Sequence, residues 1–153
     1  MLKTNLKHLV LEEELNELIS NNANVMVCCG RMGRMCIPVY AIMESLEKDY
    51  PNVQFKDMEF DIPDSRIIRD HPACSGFMGL PLTMYYKNGE VVKATSSIQS
   101  KEQIKEVLDT VLLLSNSVLH ITNDILYVSD LAGWAHHFFS DKRCRILISN
   151  SLL

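Results

Sequence analysis

Apolar residues change their spacing several times along this chain, and each change marks an element. A short apolar run at 6–11 predicts a first strand. Over 12–21 the residues Leu15, Leu18 and Ile19 recur at helical spacing behind three glutamates, whose charge suits a helix N-terminus. The polar stretch 21–24 ends that helix. Residues 25–29 are unbroken apolar, the pattern of a strand buried on both faces. A loop with two glycines follows at 30–35. Pro38 then suits the first turn of a helix, where its missing N–H leaves nothing unpaired, and Val39, Ile42, Met43 and Leu46 give that helix one apolar face.

Beyond a stop at 49–52, the residues Val53, Phe55, Met58 and Phe60 predict a strand over 53–61. Asp64 is placed to cap a short helix over 65–70. A strand at 81–87, the turn pair Asn88-Gly89 and a returning strand at 90–94 read as a hairpin. Ser100 and Gln103 form a capping box that opens a helix with Ile104, Val107, Leu108 and Val111 on one side. The order is β-α-β-α-β-α-β-β-α. Strands alternating with helices imply parallel pairing, and the hairpin adds an antiparallel edge. The fold class is therefore α/β, a mixed central sheet between two helix layers.

The character changes near residue 115. Residues 118–122 and 125–129 read as a second hairpin, 131–139 as a short helix and 146–148 as a last apolar run. The division expected is a folded domain over 1–114 and an extension over 115–153, either packed as an appendage or poorly ordered.

Composition narrows the function classes. The chain has 153 residues, 47% apolar and 22% charged, with a formal charge of −4, so one domain with its own core is expected. No basic cluster supports nucleic acid or an anionic membrane as the main partner. No segment reaches the roughly 18 apolar residues of a membrane span. The N-terminus lacks the apolar stretch of a signal peptide, so the compartment expected is cytoplasmic.

Five cysteines stand at 28, 29, 36, 74 and 144. An odd count with three crowded into nine residues departs from a disulfide scaffold and points to redox chemistry or metal. A helix N-terminus favours the thiolate, the nucleophile of disulfide exchange, and Cys36 stands just before Pro38. Cys29 ends the preceding strand, and the two glycines let the intervening loop fold back. One reading makes Cys29 and Cys36 a dithiol couple; the other makes Cys28 and Cys36 small core residues. Neighbouring strand positions face opposite ways, so only one of Cys28 and Cys29 faces the turn, and Cys29 is the nearer. Cys28 and Cys74 are auxiliary thiols, Cys74 being read as a half-exposed residue on a short helix. Cys144 with His120, His136 and His137 has the residue types of a zinc site but not its spacing, so no metal is assigned. Arg31 and Arg34 read either as modulators of a nearby thiol or as solvated loop charge.

The segment Gly79-Leu-Pro-Leu-Thr-Met-Tyr-Tyr-Lys-Asn-Gly-Glu-Val-Val resembles thioredoxin, where a Gly-apolar-Pro step precedes a strand and Lys-Asn-Gly-Glu makes the hairpin. Residues 100–109 are similar to that family's final helix, and the element order is the same. The likeness spans 5–114. It implies a thioredoxin-like three-layer sandwich, a cis peptide bond at Pro81, and a substrate chain held against the main chain of Leu80. The family's C-x-x-C is absent, and the only tryptophan is Trp134. No carboxylate occupies the buried position upstream on the strand, where the family keeps a proton acceptor.

Two functions follow as expectations. One is a thiol-disulfide oxidoreductase acting on protein disulfides through a Cys-x6-Cys site. In it Cys29 attacks, Cys36 resolves, Leu80 and Pro81 orient the substrate, an unidentified reductase supplies electrons and no cofactor is bound. The other is a non-catalytic thioredoxin-fold module that binds protein through the Pro81 groove and the 30–35 loop.

Overall fold

The computed structural model describes residues 2–113 and, for the backbone alone, 120–122 and 125–127. The chain divides into two compact units, Met1–Ser115 and Asn116–Leu153.

The first unit is built on five strands: β1 (Lys7–Leu9), β2 (Asn24–Gly30), β3 (Gln54–Glu59), β4 (Leu82–Lys87) and β5 (Glu90–Ser96). Their order across the sheet is β1-β3-β2-β4-β5. β3 runs parallel to both β1 and β2, whereas β4 runs antiparallel to β2 and β5. The helices α1 (Glu12–Asn21), α2 (Ile37–Leu46), α3 (Arg66–Arg69) and α4 (Lys101–Val107) supply the outer layers. Two 3-10 turns, Pro63–Ser65 and Pro72–Cys74, flank α3. This is the mixed sheet between helices that the alternating pattern predicts.

Period-two alternation divides the core. Met26 and Cys28 of β2 join Phe55, Tyr85 and residues of α2 and α4 on one face. Val25, Val27 and Cys29 join Leu15, Met58, Ile68 and Met84 on the other. β2 is central and covered on both sides, which is why its sequence shows no polar alternation.

Several local expectations are corrected. The first strand is only Lys7–Leu9, because Val10 and Leu11 are exposed and Leu11 is the N-cap of α1. Glu14 accepts from the N–H groups of Val10 and Leu11 at 2.8 and 3.1 Å, half of a capping box. Asp64 does not cap the helix that follows it. Its carboxylate accepts from the N–H of Glu12 at 3.2 Å, so it serves the N-terminus of α1, 52 residues earlier. The helix it was expected to open is instead a 3-10 turn running into α3.

The Ser100–Gln103 box forms reciprocally, with bonds of 2.8 and 3.3 Å. Behind it, α4 widens into a π-helical turn, Leu108–Leu113, and the buried stripe becomes Ile104, Leu108 and Leu112 in place of one ending at Val111. Lys87 Nζ donates to the carbonyls of Val111 and Leu112 at the end of this segment. Asn88 and Gly89 both take positive φ, as the tight hairpin turn requires.

In the second unit, strands β6 (His120–Thr122) and β7 (Ile125–Tyr127) pair antiparallel. The expected helix at 131–139 and the run at 146–148 lie outside the described residues, as do Trp134, His136, His137 and Cys144.

Candidate functional site

The C-terminal end of β2 meets the start of α2 and the segment before β4, and a glycine makes that meeting possible. A β-carbon on Gly30 would lie 2.7 Å from the Tyr40 hydroxyl, 2.9 Å from Cys36 Sγ and 3.1 Å from Pro81 Cβ. No side chain fits there without displacing at least one neighbour. Gly30 also hands the sheet on, its carbonyl accepting from the N–H of Phe60 at 2.9 Å. Cys36 is the N-cap of α2, and Pro38 occupies the first turn. The loop closes through Cys36 and Ile37 N–H groups, both donating to the Gly33 carbonyl at 3.0 Å.

Leu80–Pro81 is a cis peptide bond. The carbonyl of Pro81 accepts from Ser97 at 3.0 Å. Among the described residues, no hydrogen bond engages the N–H or carbonyl of Leu80, which is half-buried. Met78, which lines a cleft with Leu80, is 98% exposed, and Met32, Met35 and Ile37 of the loop and helix start are exposed as well.

The cysteines are placed differently from the expected couple. Cys29 packs with Cys74 and Met84 on the α1 side of the sheet, whereas Cys36 packs on the α2 side. The thiol that shares the Cys36 face is Cys28. Strand alternation is the reason: once Cys28 turns toward α2, its neighbour must turn away. Cys28, Cys29, Cys36 and Cys74 are all reduced and all buried. Burial drives the Cys28 thiol far above its ordinary range, against a contact from Thr83 Oγ1 at 3.9 Å. Burial pushes Cys29 up to about 12, the nearby charge of Arg69 pulling the other way. Cys74 is not half-exposed as expected. It is raised by burial too, and its Sγ lies 3.4 Å from Met84 Sδ.

A buried carboxylate escaped the sequence reading. No acid stands on β2, but Asp57 of β3 is fully buried and pairs in register with Cys28. Its oxygens accept from Thr4 Oγ1 and from His8 Nδ1, the latter at 2.5 Å; facing a carboxylate, that ring nitrogen carries the proton. The signal was weak. Val53 and Phe55 share a strand face with Asp57, but so do Glu59 and Asp61, so alternation alone did not mark Asp57 as the inward carboxylate.

Tyr40 is also buried, its hydroxyl without a hydrogen-bond partner among the described residues, and burial raises its ionisation well above the usual phenol range. Arg31, expected as either a thiol modulator or free loop charge, forms a forked ion pair with Asp61 at 2.6 and 2.7 Å. No group of three or more His, Cys, Asp or Glu is arranged to hold a metal among the described residues. None of their helices is long and apolar enough to cross a membrane.

No family model matches the sequence, and no curated protein does either. Solved structures do match. Thioredoxin from Plasmodium falciparum superposes with a TM-score of 0.58 at 20% identity, over 68% of this chain and 97% of that one. Oxidised mitochondrial thioredoxin 3 from Saccharomyces cerevisiae gives 0.57 at 18% identity, over 68% and 94%. Oxidised thioredoxin O2 from Arabidopsis thaliana gives 0.56 at 15%, over 72% and 97%.

Proposed function

We propose that this thioredoxin-fold chain is a protein-binding module that holds an extended segment of a partner protein across Leu80 and Pro81. One observation carries the reading: the main-chain N–H and carbonyl of Leu80 are claimed by no bond of the fold among the described residues. Main-chain groups left open beside a sheet are what an extended chain pairs with. The exposed Met78, which lines the same cleft as Leu80, supplies adaptable apolar surface next to those groups.

Exchange through Cys29 and Cys36 has less support. It needs a reachable thiolate, and Cys29 is buried with its thiol held near 12. A second reading rests on position alone: Cys36, although buried, stands at the N-cap of α2 with Cys28, also buried, on the same face. In that reading Cys36 attacks a protein disulfide, one partner sulfur leaves as a thiol, and Cys28 displaces the other to close an internal disulfide. A reductase would then restore both thiols.

Two measurements separate these readings. Peptides selected from a random library are titrated into isotope-labelled protein, and the binding reading expects amide shifts at 30–37 and 77–82. Shifts confined to the β5 edge would overturn it. Alkylation with mass measurement then follows oxidation. A reversible loss of two protons mapping to Cys28 and Cys36 favours exchange, and unchanged thiols leave the binding module alone.

A further inference from the structure

Beside Leu80 lies a cavity of about 250 Å³ whose walls include Arg31, Phe60, Arg69, Phe77, Met78 and Leu80. Most of this lining is apolar, and the two exceptions are cations. Both guanidinium groups stack on the Phe60 ring, at 5.0 Å for Arg31 and 5.1 Å for Arg69. Their electrostatic situations differ. Arg31 is neutralised by its forked pair with Asp61. The Arg69 side chain makes no hydrogen bond or ion pair among the described residues, its Nε is buried without a partner, and Asp61 acts on it only through space. A buried donor left unpaired costs stability unless something outside the chain satisfies it.

We propose that this cavity is a carboxylate subsite, and that the protein segment held at Leu80 carries an acidic side chain that enters it and pairs with Arg69. The inference rests on the binding reading given above and specifies the chemistry of the partner. A segment lying along Leu80 passes the mouth of the cavity, since Met78 and Leu80 form one of its walls. The apolar walls accept the methylenes of a Glu or Asp side chain, and the planar guanidinium matches its two oxygens. The charge sets the choice within anions. One uncompensated cation balances a carboxylate, whereas a phosphate ester brings nearly two negative charges.

The test is a cycle on peptides selected against the full immobilised chain from a random displayed library. Each consensus peptide is labelled with fluorescein, and its affinity is measured by anisotropy with its acid intact and with that acid replaced by the matching amide. On the wild-type protein the amide is expected to bind about tenfold more weakly, and on Arg69→Gln the two peptides are expected to bind alike. If Arg69→Gln does not fold, Arg69→Lys serves in its place, with an amide penalty smaller than that of the wild type. Enriched peptides without an acidic position, or an equal penalty on both proteins, overturn the carboxylate subsite and leave the binding reading standing. A library that yields no binder sinks both.

Discussion

The hydroxyl of Tyr40 lies 2.7 Å from the point where a β-carbon on Gly30 would sit. A residue of α2 and the last residue of β2 are thus in contact only because one of them has no side chain. Cys36 and Pro81 close on the same point from two other directions. The end of the sheet, the helix start and the Leu80 segment are fitted together there.

Gly30→Ala is therefore expected to destabilise the fold by about 1–3 kcal/mol through overpacking. Tyr40→Phe removes the nearest of the three atoms together with a buried, unpaired hydroxyl, so alone it is expected to be neutral or stabilising by up to about 1 kcal/mol. In the double variant it should recover part of the Gly30→Ala loss. Urea unfolding of the four proteins checks this. Strict additivity would mean that Tyr40 does not meet the added carbon.

The buried thiols predict slow alkylation of the native protein. With its thiol near 12, Cys29 is about one part in 10⁴ thiolate at pH 8, against roughly a quarter for a free thiol of pKa about 8.5. Iodoacetamide should modify Cys28 and Cys29 at pH 8 only on the timescale of unfolding, and promptly in denaturant. Peptide mass mapping over time reads this directly. Rapid native labelling of Cys29 would contradict its placement.

Asp57 predicts a stability role for the first residues of the chain. Its buried carboxylate depends on Thr4 and His8 for hydrogen bonds. His8→Ala withdraws one hydrogen-bond partner from a buried carboxyl group and should cost about 1–3 kcal/mol. Thr4→Val should act in the same direction. Denaturant midpoints measured at equal slope give both values.

Glu14 predicts a dependence on acid. Its bonds from the Val10 and Leu11 N–H groups hold its carboxyl below the ordinary 4.5. A depressed carboxyl contributes stability that is complete above the unfolded value and is lost as pH falls through the folded one. Glu14→Ala should cost about 1 kcal/mol at pH 7 and less at pH 3, the loss shrinking as pH falls from 4.5 through the depressed folded value. Urea titrations at the two pH values compare the loss, and an equal loss at both would exclude the carboxylate as its source.

Much of this fold was legible locally. The helical spacing of Leu15, Leu18 and Ile19, the apolar run of β2, the Asn88-Gly89 turn and the Ser100–Gln103 box each act over a few residues, so the chain declares them without distant partners. Where distant partners intervened, local reading failed. Asp64 stands before a short helix yet caps α1, because the fold brings the N–H of Glu12 to it. Cys74 reads as a surface residue until α3 and β4 enclose it.

Its own residues settle that this chain makes alternating strands and helices with a closing hairpin, since period, caps and turn residues are properties of neighbouring positions. Which cysteine faces which is another matter. Cys28 and Cys29 differ by one step along a strand, and only the packing of α2 on one face and α1 on the other decides that Cys28, not Cys29, lies with Cys36. The pairing of Asp57 with His8 and the unpartnered Nε of Arg69 likewise belong to tertiary structure, because burial and partnership arise only when separate segments meet.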